Sequence, residues 1–191
     1  GLPLTVHRPS MVVGDTVSGR IIHFQIFYHL CEFLSGRRTL GLSPGFGKAR
    51  LDIVPADYVA RVIAWSSTTI GSSGHIIHSC SGPEQALALE PLREKVRCAF
   101  RTAGRRLPPV ISLPNGVFLA LLNGVSFFMP NEARRAIKTL PVFLDYLATE
   151  QTFANRRTQT LLAAAGLSLP APDSYLGKVL NYYLENNPQR P

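Results

Sequence analysis

Apolar residues recur along this chain in two rhythms, a period of two and a period near 3.6, and the rhythms alternate through its first hundred or so positions. Leu2 to His7 brings apolar residues into Arg8-Pro9 and predicts a short buried strand that ends at a loop. Gly14 to Gly19 is a polar connection. Ile21 to Leu34 is apolar on most sides, interrupted by His23, Gln25, His29 and Glu32. That pattern predicts a deeply packed helix stopped by Gly36, with Arg37-Arg38 beside its negative C-terminal end. Gly41 to Gly47 reads as loop. Leu51 to Val54 reads as a short strand or an extended entry, and Asp57 as the N-cap of a helix that carries Val59, Val62 and Ile63 on one face. His75 to Cys80 predicts another strand, Ser81-Gly82-Pro83 a turn, and Leu89 to Ala103 a helix ended by Gly104. Strands alternating with helices predict an α/β fold rather than a bundle.

Beyond Leu107-Pro108-Pro109 the pattern turns helical, which divides the chain into residues 1–110 and a helical region 111–191. Asn115 to Met129 is nearly continuous apolar sequence. It is shorter than the roughly 20 residues of a spanning helix and contains Asn123 and Gly124. A buried or acyl-lining helix is the favoured reading, and an interfacial segment the alternative, so membrane contact is possible but not favoured. The last helix is the clearest, with Asp173 as its cap and Leu176, Val179, Leu180, Tyr183 and Leu184 at helical spacing.

Composition narrows the class. Of 191 residues, 46% are hydrophobic and only 17% charged, which supports a packed core and argues against disorder. The net charge of +8 is largely arginine, much of it in pairs at 37–38, 105–106, 134–135 and 156–157. No basic run interleaves with aromatics and no nucleic-acid motif is present, so these read mostly as solvated helix faces, and no nucleic-acid partner is expected. Cys31, Cys80 and Cys98 are scattered and form no CxxC, which suits buried reduced thiols in a cytoplasmic protein better than disulfides or zinc. The chain opens on Gly1 without a signal-peptide pattern. The histidines show no metal-ligand clustering: His75 and His78 would point to opposite sides of a strand, and only His29 is a candidate pocket residue. Gly41-Leu42-Ser43-Pro44-Gly45 matches G-x-S-x-G, yet the residue after Ser43 is proline, which has no N–H for an oxyanion. A catalytic Ser43 is therefore set aside.

One ordered set goes further: Arg8-Pro9-Ser10-Met11-Val12-Val13-Gly14-Asp15, a bulky helix FQIFYHLCEFLSG, a loop, and then LDIVPADYVA. It resembles the extended short-chain dehydrogenase/reductases, and within them the thioester-reductase and fatty-acyl-reductase group, the male-sterility-type proteins. The resemblance is good over about the first 100 residues and less specific in the tail FANRRTQTLLAAAG to YLGKVLNYYLENN. It implies the C-terminal portion of a Rossmann-like NAD(P)-binding fold with a mostly helical substrate region. The implied activity is NADPH- or NADH-dependent reduction of an acyl thioester, on CoA or on an acidic acyl carrier protein, to an aldehyde or alcohol. By the same resemblance Pro9, Ser10 and Met11 lie beside the nicotinamide, and Phe24, Tyr28 and His29 wall the acyl site. The family's glycine-rich loop and Tyr-x-x-x-Lys pair have no counterpart here. Tyr175 and Lys178, one residue too close, read as an ordinary helix pair. The expectation is a fragment inactive by itself, with the gripping half of the coenzyme site upstream. Two alternatives stay open: a sugar-nucleotide epimerase or dehydratase of the same superfamily, and a non-catalytic basic binding module.

Overall fold

The structure, a computed structural model, describes residues 4–126 and 155–187. Two compact units divide the chain, one drawn from Gly1–His29, Asp52–Leu87 and Thr152–Pro191, the other from Leu30–Leu51 and Ala88–Gln151.

In the first unit β1 (Val6–Pro9) runs parallel to β6 (Ile76–Ser79), with Val6 opposite Ile76 and Pro9 opposite Ser79. β2 (Met11–Val13) runs parallel to β5 (Ile53–Pro55). α2 (Ala56–Thr68) follows β5 in the chain and packs against β2 and β5. Tyr58, Val59 and Val62 of α2 close over Val54 and Ile77, together with Leu162 of α6 (Arg156–Ala164). Each such buried side chain contributes about 1.5–3 kcal/mol relative to exposure. Ile63, one step round the helix from Val62, is 45% exposed and leaves the predicted face. Asp57 is not the N-cap: Pro55 holds that position, and Asp57 sits in the first turn. The last helix, α7 (Pro172–Asn186), buries Tyr175, Leu176, Val179, Leu180, Tyr183 and Leu184, as its spacing predicts. It begins on Pro172, a favoured first residue, with Ala171 as cap and Asp173 exposed in the first turn.

The predicted buried strand from Leu2 is corrected in position and in burial. It starts at Val6, and Leu4, Val6, Arg8 and Pro9 are exposed. Among the described residues β1 has one strand neighbour, β6.

The long apolar helix, α1, spans Ile26–Ser35 and is shorter than predicted; Ile22 lies outside it, 89% exposed. Gly36, at φ 81°, ends it as expected. In the second unit Gly41 to Gly47 is not all loop. Leu42–Pro44 forms β3, parallel to β8 (Ile111–Leu113). Three residues between glycines carry too little periodicity to announce a strand whose partner is so distant in sequence. α4 (Leu89–Thr102) buries Leu89, Leu92, Val96 and Phe100 and stops at Gly104, φ 75°, as predicted. α5 (Asn115–Ser126) buries Phe118 against Phe33, which also meets Phe46 edge-on. Among the described residues no helix is long and apolar enough to cross a membrane; the end of the predicted apolar stretch, Phe127 to Met129, lies outside them.

Candidate cofactor and substrate site

Both strands of the β1–β6 pair finish at the same edge, and the chain turns there through Pro9 and Ser10 into β2. Carboxyl ends of parallel strands are where open α/β sheets place ligands. The Ser10 N–H donates to the Ser79 carbonyl at 3.0 Å, which ties the turn to the neighbouring strand. That leaves the Ser10 hydroxyl oxygen buried with no hydrogen-bond partner among the described residues; the Ser79 hydroxyl shares this condition. Pro9 is exposed, and Met11 is half-buried opposite Ile53. The fold thus gathers Pro9, Ser10 and Met11 at one edge.

The loop that follows is held from three sides. Asp15 accepts from the N–H groups of Val17, Ser18 and Arg20 and from the Ser18 hydroxyl. Burial works to raise its pKa, but the Ser18 hydroxyl and the three N–H groups outweigh that and hold the carboxyl below its ordinary 3.8. Asp57 accepts from the N–H and hydroxyl of Thr16, at 3.1 and 2.7 Å. From α7, Lys178 Nζ donates to the Thr16 carbonyl at 2.8 Å. Gly19, at φ 73°, passes so close to the Lys178 carbonyl that a Cβ would collide with it.

Of the three predicted substrate residues, two come together and one does not. Tyr28 is fully buried, and its phenol oxygen accepts from the Gly14 N–H at 3.1 Å. Phe24 is half-buried and meets Tyr28 and Tyr183 edge-on, ring centroids 5.0 and 4.9 Å apart. His29 is exposed. Phe24 and Tyr28 therefore share an aromatic cluster with α7, while His29 points away from it.

A further knot escaped the sequence reading. Asp52 accepts from the N–H groups of Ser81 and Gly82 at 2.7 and 3.0 Å, and the Ser81 hydroxyl donates to the Ile53 carbonyl. Asn155 Nδ2 donates to the Cys80 carbonyl and packs where a side chain on Gly82 (φ 72°) would sit. The Ser-Gly-Pro turn after β6 was the available signal. Its partner Asp52 lies too far back in the chain to be paired with it by spacing.

Several chemical candidates are settled by their surroundings. The Tyr175 phenol donates to the Ile53 carbonyl at 3.3 Å; burial, with Asp52 and Asp57 nearby, raises its pKa far above 10. With Lys178 committed to Thr16, the two residues form no acid–base dyad. Ser43 lies in β3, its hydroxyl donating to the Pro44 carbonyl and accepting from Arg93 Nη1, which is no nucleophile elbow. Burial and the Asp52 carboxylate push the Cys80 thiol up to about 11, so it stays protonated at neutral pH. Cys31 is buried too, but Cys98 is exposed on α4, which corrects the expectation that all three thiols are interior. No group of three His, Cys, Asp or Glu among the described residues could hold a metal. Two clefts border the β1–β6 pair away from its carboxyl edge. One, about 570 Å³, is lined by His75, Ile76 and the Arg157–Leu161 face of α6; the other, about 220 Å³, by Leu4, Val6 and Ile76.

Residues 1–63 match the NAD-binding family described as male sterility protein, which upholds the resemblance carried by the Pro9–Asp15 and Asp52–Ala60 segments. Comparison with curated proteins gives no match. Among solved structures, the chain is similar to the terminal R domain of the myxalamid PKS-NRPS biosynthetic pathway, with 22% identity and a TM-score of 0.69 over 97% of this chain and 44% of that one. It is similar to a thiolation-reductase di-domain of an archaeal non-ribosomal peptide synthetase, with 20% identity and a TM-score of 0.66 over 97% of this chain and 36% of that one. A GDP-L-fucose synthetase from Naegleria fowleri bound to NADP matches at 13% identity and a TM-score of 0.56, over 95% of this chain and 45% of that one. The chain thus has a Rossmann-like α/β fold and spans less than half the length of each of these three structures.

Proposed function

We propose that this chain, whose first third carries the male-sterility-type NAD-binding match, is the substrate-side portion of an NAD(P)H-dependent reductase of acyl thioesters. The observation that carries the reading is the β1–β6 edge. Its carboxyl end presents Pro9, Ser10 and Met11 with a buried, unpartnered hydroxyl on Ser10. Its flank leaves Leu4 66%, Val6 37% and Ile76 50% exposed, on a parallel pair with no third strand among the described residues. Parallel sheets are normally buried on both faces, so this pair has the form of a larger sheet's margin.

The residues fit a nicotinamide cofactor at one point and leave the rest of it to other polypeptide. Ser10 offers a hydroxyl able to donate or accept, Pro9 fixes the turn and takes no hydrogen bond through its nitrogen, and Met11 brings an adaptable apolar surface. The cofactor, when bound, supplies the hydride. Ser10 would orient its polar edge, and the Asp15–Thr16–Asp57 clamp would keep the turn from shifting. No Tyr-x-x-x-Lys pair occurs in these 191 residues, so protonation of the developing alkoxide must come from elsewhere.

The test uses the full-length polypeptide with NADPH and a panel of acyl-CoA, carrier-bound acyl thioester and sugar-nucleotide substrates. Thioester-dependent NADPH oxidation is expected, with Ser10→Ala raising the KM for NADPH by about three- to thirtyfold, as one lost hydrogen bond allows. The 191 residues alone should oxidise none. Turnover by them alone, or turnover of sugar nucleotides in place of thioesters, overturns the proposal.

A further inference from the structure

Tyr175 and Lys178 form no proton-transfer pair, yet both reach from α7 to the segment around the cofactor edge. The Tyr175 phenol donates to the carbonyl of Ile53, the residue that pairs with Met11 across β2 and β5. Lys178 Nζ donates to the Thr16 carbonyl, 162 residues away in the sequence. Backbone contacts reinforce these bonds. The turn after β2 is closed by the Asp15 N–H, which donates to the Arg20 carbonyl, and by the Gly19 N–H, which donates to the Asp15 carbonyl. A Cβ on Gly14 would strike the Gly19 carbonyl, and one on Gly19 would strike the Lys178 carbonyl. The end of β2, the turn and α7 are therefore stacked backbone on backbone, with no side chain between them.

The same helix reaches the aromatic residues beyond the turn. Tyr182 lies one turn along α7 from Lys178, on the same face, and its ring centroid is 6.3 Å from that of Phe24. Tyr183 packs against Phe24 and Tyr28, at 4.9 and 5.1 Å. Tyr28 returns to the start of the turn by accepting from the Gly14 N–H. Phe24 is half-buried, and Ile22 and Ile26, to either side of it in the chain, are exposed. This is apolar surface joined to the end of β2, and the acyl group is the part of a thioester that such surface suits. Asp15 ties the turn to itself, Asp57 ties it to α2, and Lys178 ties it to α7.

We infer that Lys178 is a positioning residue for the acyl group: by fixing the Asp15–Arg20 turn to α7, it sets where Phe24 lies relative to the cofactor edge. The inference rests on the reductase reading and extends the substrate side of that site to the last helix. A compact ammonium with three donors suits a lone carbonyl on an exposed turn. Lys178 acts through Thr16 and not on the reacting atoms, so its loss weakens thioester binding and leaves the chemical step alone.

The experiment takes the full-length polypeptide and determines KM for an octanoyl thioester, on CoA and on a carrier protein, and KM for NADPH separately. Lys178→Met should raise the thioester KM by about three- to tenfold, with kcat and the NADPH KM within about twofold of the parent. Lys178→Arg, which also donates to a carbonyl, should bring the thioester KM back to within about twofold. A merely destabilised protein would lose active enzyme without this split between the two KM values, and arginine would not rescue it selectively. Equal rises in both KM values, a fall in kcat alone, or an arginine variant no better than the methionine one overturns the inference. If the parent turns over the thioester and Lys178→Met keeps parental KM values, the reductase reading stands and the role of Lys178 is lost. If the parent oxidises no NADPH with any thioester, the reading fails and this role falls with it.

Discussion

Asp15 gathers four donors of its loop onto one carboxylate. Its folded pKa is held below the ordinary value, so it contributes stability above about pH 3.8 and loses that contribution as pH falls through the folded value. His7 also loses stability on the acid side, but through its neutral form rather than its charged one. Its Nε2 meets the Ser66 hydroxyl at 2.8 Å, and burial lowers its pKa from 6.5. As pH falls below 6.5 the unfolded chain takes up the proton first, so stability is lost on the acid side and unaffected above it. His7→Gln should therefore close its Tm deficit against the parent as pH drops from about 7.5 to about 5.5. A deficit constant across that range would mean His7 titrates alike in both states. None of this was legible at the residue level. Asp57 looked like a cap because an acid before an apolar helix usually is one, whereas its real partner, Thr16, arrives through tertiary contact.

Among the elements, α4 and α7 were readable in advance because each carries enough turns for its buried stripe to repeat. β3 and β8 were not, since three residues give one alternation and their pairing is set by what packs around them. Arg97 is the element-scale joint of the second unit, and it sits on the otherwise apolar face of α4. Arg97→Met keeps the length of that side chain but strands two carbonyls. It should cost about 3 kcal/mol, read by denaturant unfolding with an unchanged m-value. A loss below about 1 kcal/mol would show that water replaces the guanidinium there without penalty.

For the whole molecule, the exposed flank of β1 is the defining feature. An edge with no second strand neighbour among the described residues, with Val6 on it and Leu4 just before it exposed, is a template for adding strands. Val6→Lys should reduce self-association of the isolated chain, measured by light scattering, and should impair assembly with any polypeptide that completes the sheet. An unchanged scattering profile would place the sticky surface elsewhere. What the sequence determined by itself was the α/β alternation, the two long amphipathic helices and the ordered motif set from Arg8 to Ala60, because periodicity and turn chemistry are local. Tertiary structure alone decided that Ser10's hydroxyl has no partner among the described residues, that Phe24 and Tyr28 pack against Tyr183 of α7, and that Arg97 ties the Ser35 carbonyl to that of Pro108. Each of those depends on which backbone atoms lie within hydrogen-bonding or van der Waals reach after folding, and spacing along a chain does not encode that distance.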